Sequence, residues 1–151
     1  MVRRVNQEFE PVLTIDVTAT SFDRLVYILV ANRPLRYQKE SSRIAYIGTT
    51  EAGVWRIASS ASMCAYKSRG KLRGCKRLHA YVIWSRAKRG RDQFRGRRYH
   101  HILERAMLLS FRKRYGTVPL LNTNGNGITE EHEFKVFRRT RVERLIGQFA
   151  G

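Results

Sequence analysis

Leu13, Ile15 and Val17 alternate with Thr14, Asp16 and Thr18, the period of a half-buried strand. Residues 24–31 form a more continuous apolar run, Leu-Val-Tyr-Ile-Leu-Val-Ala after Arg24, and predict a more deeply buried strand. Pro34 and several charges make Asn32 to Ser42 a loop. Arg43 to Thr49 predicts a third strand, in a hairpin with 24–31. Val54, Ile57, Ala58, Ala61 and Ala65 recur at helical spacing, predicting a helix that starts near Glu51 and ends before Gly70. Leu78 to Trp84 is aromatic and β-branched, a strand between basic loops at Lys67 to Arg77 and Ser85 to Arg98. The strongest helix runs from Tyr99 to Tyr115, with Gly116 as its C-terminal cap. Thr117 to Gly127 is a loop rich in Asn and Gly. Glu133 to Phe137 predicts a short strand. A last helix begins at Thr140, with Glu143 completing a capping box and Val142, Leu145, Ile146 and Phe149 on its apolar face.

At 151 residues, with 42% hydrophobic content, the chain is read as one domain with a core rather than a disordered segment. Charge changes the picture more. Lys and Arg total 30 against 12 acids, a net +18 and a pI near 11.0, far beyond what solubility needs. A polyanion, first of all a nucleic acid, is the natural partner. The longest apolar run, Leu25 to Ala31, is far short of the roughly 20 residues of a membrane span. Met1-Val2-Arg3-Arg4 lacks the apolar stretch of a secretory leader. Cys64 and Cys75 are too few for a disulfide framework, and Cys75 with His79 is only half of a zinc site. These features lead us to expect an intracellular protein, cytoplasmic or nucleoid-associated, with no membrane partner.

One constellation stands out. Tyr46-Ile47-Gly48 is followed ten residues after Tyr46 by Arg56, and forty-eight residues after Arg56 by Glu104 inside the strongest helix. Tyr27 lies in the preceding strand, and Pro119-Leu120-Leu121-Asn122 follows that helix. With the order strand, strand, helix, strand, helix, this resembles the GIY-YIG nuclease family over roughly residues 24–124. The chain departs from the pattern in three places, one of them a loop between the two tyrosines that is longer than in the smallest family members. Leu25 stands where the family has glycine, and Ser60 stands one turn after Arg56 where a histidine or tyrosine is common. Tyr66, Lys67, His79 and His100 are the candidates to take over that role. The resemblance implies an α/β fold of the α+β type, with a small three-stranded, mostly antiparallel central sheet flanked by helices. The N-terminal strand and the C-terminal helix are then additions, over 1–23 and 128–151 of a single domain 1–151.

It also implies a chemistry, the hydrolysis of phosphodiesters with one divalent metal ion. Glu104 would bind Mg²⁺, with Mn²⁺ as a substitute, since one carboxylate plus substrate phosphate can suffice for this ion. Arg56 would clamp the scissile phosphate. Tyr27 would be the general base toward water, its phenol needing nearby positive charge to act at neutral pH. Tyr46 would position water or phosphate, and Asn122 would tie the last loop to the site. Each has a plainer alternative: surface helix residues for Glu104 and Arg56, half-buried strand residues for the tyrosines, a turn-former for Asn122. His100, one turn before Glu104, could form a metal pair with it, though a group behind the metal or a phosphate contact is preferred. His101 is one step round the helix.

The DNA-holding surface is expected in the basic loops. Lys67 to Arg98 carries thirteen Lys and Arg against one acid, Asp92. Lys67, Arg69, Lys71, Arg73, Arg86, Lys88, Arg89, Arg91, Arg95, Arg97 and Arg98 are the candidate phosphate contacts. Phe94 is the aromatic best suited to insertion, whereas Tyr81 and Trp84 suit the sheet face. The expected function is a metal-dependent DNA endonuclease, with RNA as a further substrate class. The length fits a restriction, defence or mobile-element nuclease, as a monomer or a homodimer through Leu145 and Phe149. The alternative is a non-catalytic basic nucleic-acid-binding protein.

Overall fold

The apolar run that begins at Leu25 forms the first half of β1, Leu25–Arg36, the central strand of a three-stranded sheet ordered β2-β1-β3. β2, Ser41–Thr50, and β3, Leu78–Ile83, flank it, both antiparallel to it. The computed structural model describes residues 24–68, 70–83, 98–125 and 133–151. The expected strand at 13–18, and Trp84, Phe94 and the basic loop as far as Arg97, lie outside them.

β1 is buried on both faces, and alternate residues serve different layers. Leu25, Tyr27 and Leu29 pack with Ile57 and Ala61 of α1, Val54–Lys67. Val26, Ile28 and Val30 join the larger core, built from α2, Tyr99–Tyr115, and α4, Arg139–Ala150. The result is an α+β fold with helices on both faces of an antiparallel sheet. Fully burying one such Leu or Ile is worth about 1.5–3 kcal/mol, which is why this run takes the middle of the sheet and not an edge.

Three local expectations need correction. β1 continues through Asn32 and Pro34 to Arg36, and β2 starts at Ser41, so the loop expected over 32–42 shrinks to a tight turn. Pro34 is tolerated because the register shifts between Val30 and Leu35, where no ladder pair requires its missing N–H. Glu133–Val136 is a helical turn, α3, instead of a strand, because buried Glu133 reaches back to Arg105 of α2 at 2.5 Å. The capping box at Thr140 does not form: α4 begins at Arg139, its cap Arg138 makes no side-chain bond, and Glu143 faces Lys113 at 3.6 Å instead. Phe149 stacks on Tyr81 of β3, ring centroids 4.8 Å apart, so that part of the last helix closes the core.

The helix at 99–115 keeps its expected bounds, and Gly116 adopts the left-handed cap at φ 87°. The β1–β2 turn seals this end. Lys39 N–H donates to the Tyr115 carbonyl at 3.2 Å, and its ammonium donates to the Lys113 carbonyl at 3.0 Å, a cation at the negative end of the helix. Tyr37 joins three segments. Its ring meets Phe111 edge-on at 5.0 Å, its hydroxyl donates to the Ile44 carbonyl at 2.5 Å, and it accepts the Leu120 N–H at 3.2 Å. Tyr37→Phe leaves both backbone groups short of a partner and should lower stability by about 1–3 kcal/mol, read from urea denaturation at constant slope.

Candidate active site and histidine–carboxylate cluster

Gly48 decides how the two motif tyrosines meet. It lies opposite Tyr27 in the β1–β2 register, two residues from Tyr46 on the same face. A Cβ on Gly48 would stand 2.4 Å from Cε1 of Tyr46, because the Tyr46 ring folds back over the bare glycine backbone. The ring thereby reaches Tyr27, with centroids 5.6 Å apart and planes tilted by 38°. Both phenols are held well above their ordinary range, chiefly by burial. They are not equivalent. Ser60 and Tyr46 beside the Tyr27 hydroxyl partly offset its rise, whereas Tyr27 raises Tyr46 further. Tyr27 is thus the phenol whose anion is better supported, and Ser60, where the sequence lacks a histidine or tyrosine, is one of the groups that favour it.

α1 supplies that serine and, one turn earlier, Arg56, which is exposed and has no ion-pair or hydrogen-bond partner among the described residues. Glu104 approaches from the other layer. Its Oε2 accepts from the Thr49 hydroxyl at 3.5 Å and lies 3.7 Å from Nδ1 of His101, while Oε1 has no partner among the described residues. Burial raises the Glu104 carboxyl above its ordinary range, against the opposing influence of His101, Thr49 and Arg105. Its charge in turn raises both tyrosines, so the carboxylate and the phenols share one electrostatic neighbourhood across the end of the sheet.

Asn122 acts on the backbone. It donates to the Ile47 carbonyl at 2.8 Å and accepts the Ile47 N–H at 3.1 Å, while Leu121 N–H donates to the Ala45 carbonyl at 2.9 Å. The 121–122 segment so covers the open edge of β2 beside Tyr46. With its amide taken up by Ile47, Asn122 is a positioning residue.

The candidates for the missing helper separate. Tyr66 and Lys67 sit at the exposed end of α1, two turns from Ser60. His79 pairs with Val30, on the sheet face opposite Tyr27. His100 turns away from Glu104 to Glu51, at 3.1 Å, and it is His101, three residues before Glu104, that faces the carboxylate. Glu51 is the residue the sequence reading passed over as a helix start. It stands just beyond β2, with α1 beginning at Val54, and its Oε1 meets Nε2 of His100 at 3.1 Å, Nε2 of His101 at 3.5 Å and Nε of Arg98 at 3.7 Å. It is the sole acid between Glu40 and Asp92, and that isolation was the available signal.

Among the candidate phosphate contacts, Lys67, Lys71, Arg73 and Arg98 are exposed, and Lys71 also reaches the Leu120 carbonyl at 3.3 Å. Arg69, Arg86, Lys88, Arg89, Arg91, Arg95 and Arg97 lie outside the described residues. Among the described residues no helix is long and apolar enough to cross a membrane. Cys75 bonds to Asn32 and to the Arg77 carbonyl, with no grouping toward His79. No protein-family profile, curated protein or solved structure matches this chain.

Two outcomes follow for the site as a piece of structure. Gly48→Ala should cost about 1–3 kcal/mol in urea denaturation and alter the near-ultraviolet tyrosine dichroism, because the Tyr46 ring must leave its place. Glu104→Gln should raise Tm at neutral pH. The folded pKa of Glu104 lies above its ordinary 4.5, so its ionisation weakens the fold as pH climbs through the raised value. The advantage of the glutamine should vanish below pH 4.5, where the wild-type carboxyl is protonated in both states.

Proposed function

We propose that this protein is a metal-dependent endonuclease that hydrolyses phosphodiester bonds of DNA, with an active site of the GIY-YIG type. The observation that carries this reading is the asymmetric phenol pair. The Tyr27 and Tyr46 rings meet with centroids 5.6 Å apart, and Ser60 and Tyr46 both favour the Tyr27 anion, in a neighbourhood shared with the raised carboxylate of Glu104. Polar hydroxyls beside one buried phenol favour its anion, which a tyrosine serving only the core has no need of.

In this reading Tyr27 takes the proton of the attacking water once positive charge enters the site. Tyr46 stays protonated and orients the nucleophile or a phosphate oxygen. Arg56, on the same helix face as Ser60, binds the phosphate and meets the charge that develops in the transition state. Glu104 fits a hard cation: its free Oε1 is an oxygen ligand, and Mg²⁺ is commonly held by one or two carboxylates together with substrate phosphate. Such an ion would supply charge neutralisation at the phosphate and at the leaving oxygen. The +18 charge, carried in part by exposed Lys67, Lys71, Arg73 and Arg98, favours a polyanionic substrate. A restriction, defence or mobile-element role is the biological setting of this proposal. The second reading, a basic nucleic-acid-binding protein without catalysis, rests on the charge alone.

The test is cleavage of supercoiled plasmid and of a labelled single strand with Mg²⁺, Mn²⁺ or EDTA. Metal-dependent cutting should fall by about 10²–10³-fold in Arg56→Ala and be lost in Glu104→Ala, while gel-shift binding persists. With about six phosphates neutralised, binding should weaken with salt at a log–log slope near −5. No cutting by the wild-type protein on either substrate, with Glu104→Ala binding unchanged, would leave the binding protein as the function.

A further inference from the structure

Glu51, His100 and His101 sit apart from the tyrosine pair, and the nuclease reading gives them no role. Their donor atoms all lie within 4.8 Å of one another. We infer that these three side chains hold a divalent transition-metal ion of the Zn²⁺ class, at a site distinct from the oxygen-only position offered by Glu104.

The distances favour ligation over a plain hydrogen-bonded cluster. Two donors on a tetrahedral ion at bond lengths of about 2.0–2.2 Å stand roughly 3.3–3.6 Å apart. Oε1 of Glu51 is 3.5 Å from His101, within the edge of such a tetrahedron, and 3.1 Å from His100, a few tenths of an ångström short of it. As hydrogen bonds, the 3.5 Å contact and the 3.7 Å approach of Arg98 are both long for one carboxylate oxygen. The imidazoles are already turned together, with ring centroids 4.2 Å apart. His100 is 7% exposed and fixed by packing, so little ordering remains to be done on binding.

The surroundings of His101 add a second, independent observation. Its Nε2 faces Glu51, and its Nδ1 faces the Thr49 hydroxyl at 3.4 Å and Glu104 at 3.7 Å. A carboxylate behind one ring nitrogen while the other binds the ion is the usual support of a metal-bound histidine, because it fixes the ring and raises its basicity. Two imidazoles and one carboxylate prefer zinc and its transition-metal neighbours to Mg²⁺, and bind Mn²⁺ more weakly than Zn²⁺. Three protein ligands leave at least one position open to solvent. The N-terminal end of α2 disfavours a cation locally, and the negative charges of Glu51 and Glu104 compensate.

The experiment uses the full chain, stripped with EDTA and titrated with Co²⁺ in the absence of nucleic acid. Visible absorption reports coordination, and metal analysis after dialysis reports stoichiometry. One Co²⁺ per chain with visible bands of nitrogen and oxygen ligation, displaced by Zn²⁺ but not by Mg²⁺, is the expected result. His101→Ala and Glu51→Gln, both at accessible side chains, should weaken Co²⁺ affinity at least about 100-fold. Glu104→Gln, behind His101, should weaken it by about 10–100-fold. His79→Ala, on the far strand, should bind as wild type, and EDTA-phase melting curves check that every variant is folded. An absent visible band, a thiolate band placing the ion on Cys64 or Cys75, or unchanged affinity in His101→Ala and Glu51→Gln would overturn the assignment. Because the spectrum is read without nucleic acid, failure of the nuclease reading would leave it intact. Failure of the metal assignment would leave Mg²⁺-dependent cleavage unchanged.

Discussion

Two-sided burial of β1 is the constraint on which the rest depends. A strand covered on both faces must divide its side chains between two apolar layers, and here the odd positions Leu25, Tyr27 and Leu29 face α1 while Val26, Ile28 and Val30 face α2 and α4. Tyr27 is the costly member of that set. A phenol only 2% exposed in the middle strand is costly to bury, and the fold sets Ser60 of α1 and Tyr46 of β2 beside it, where both ease its ionisation. The same strand that organises the core therefore organises the candidate active site.

The edge of β2 is managed in a way that also serves the site. An open edge beside the tyrosine pair would admit water or another strand. The segment after α2 closes it with three backbone-directed bonds through Leu121 and Asn122. Tyr37 anchors that segment from inside, since its hydroxyl binds both Ile44 of β2 and Leu120. Core packing and site geometry are coupled through one short stretch of chain.

Electrostatics separates two regions. Exposed cations dominate the surface, in keeping with a net charge of +18. The beginning of α2 is different: Glu51 faces His100 and His101 there, and Glu104 faces His101 from its other side. In so basic a chain, Glu51 and Glu104 reach the two nitrogens of the His101 ring from distant points in the sequence.

The hydrophobic pattern alone determined most of the scaffold. It marked the three strands, the helix over 99–115 with its glycine cap, and the amphipathic helix carrying Arg56, because periodicity and glycine chemistry are local properties. It failed where distant contacts outweighed local preference: Pro34 accommodated by a register shift, Glu133 drawn into a helical turn by Arg105, and the Thr140 cap bypassed while Glu143 faces Lys113. The tyrosines, Ser60 and Glu104 were legible as a spacing, but their pairing was not. It depends on the Tyr46 ring lying over Gly48 and so reaching Tyr27. Only tertiary structure decided that His101, and not His100, faces Glu104, and that Glu51 completes a cluster with both histidines. Ligand sets and hydrogen-bond direction depend on distances between residues some fifty positions apart, and no local pattern carries that information.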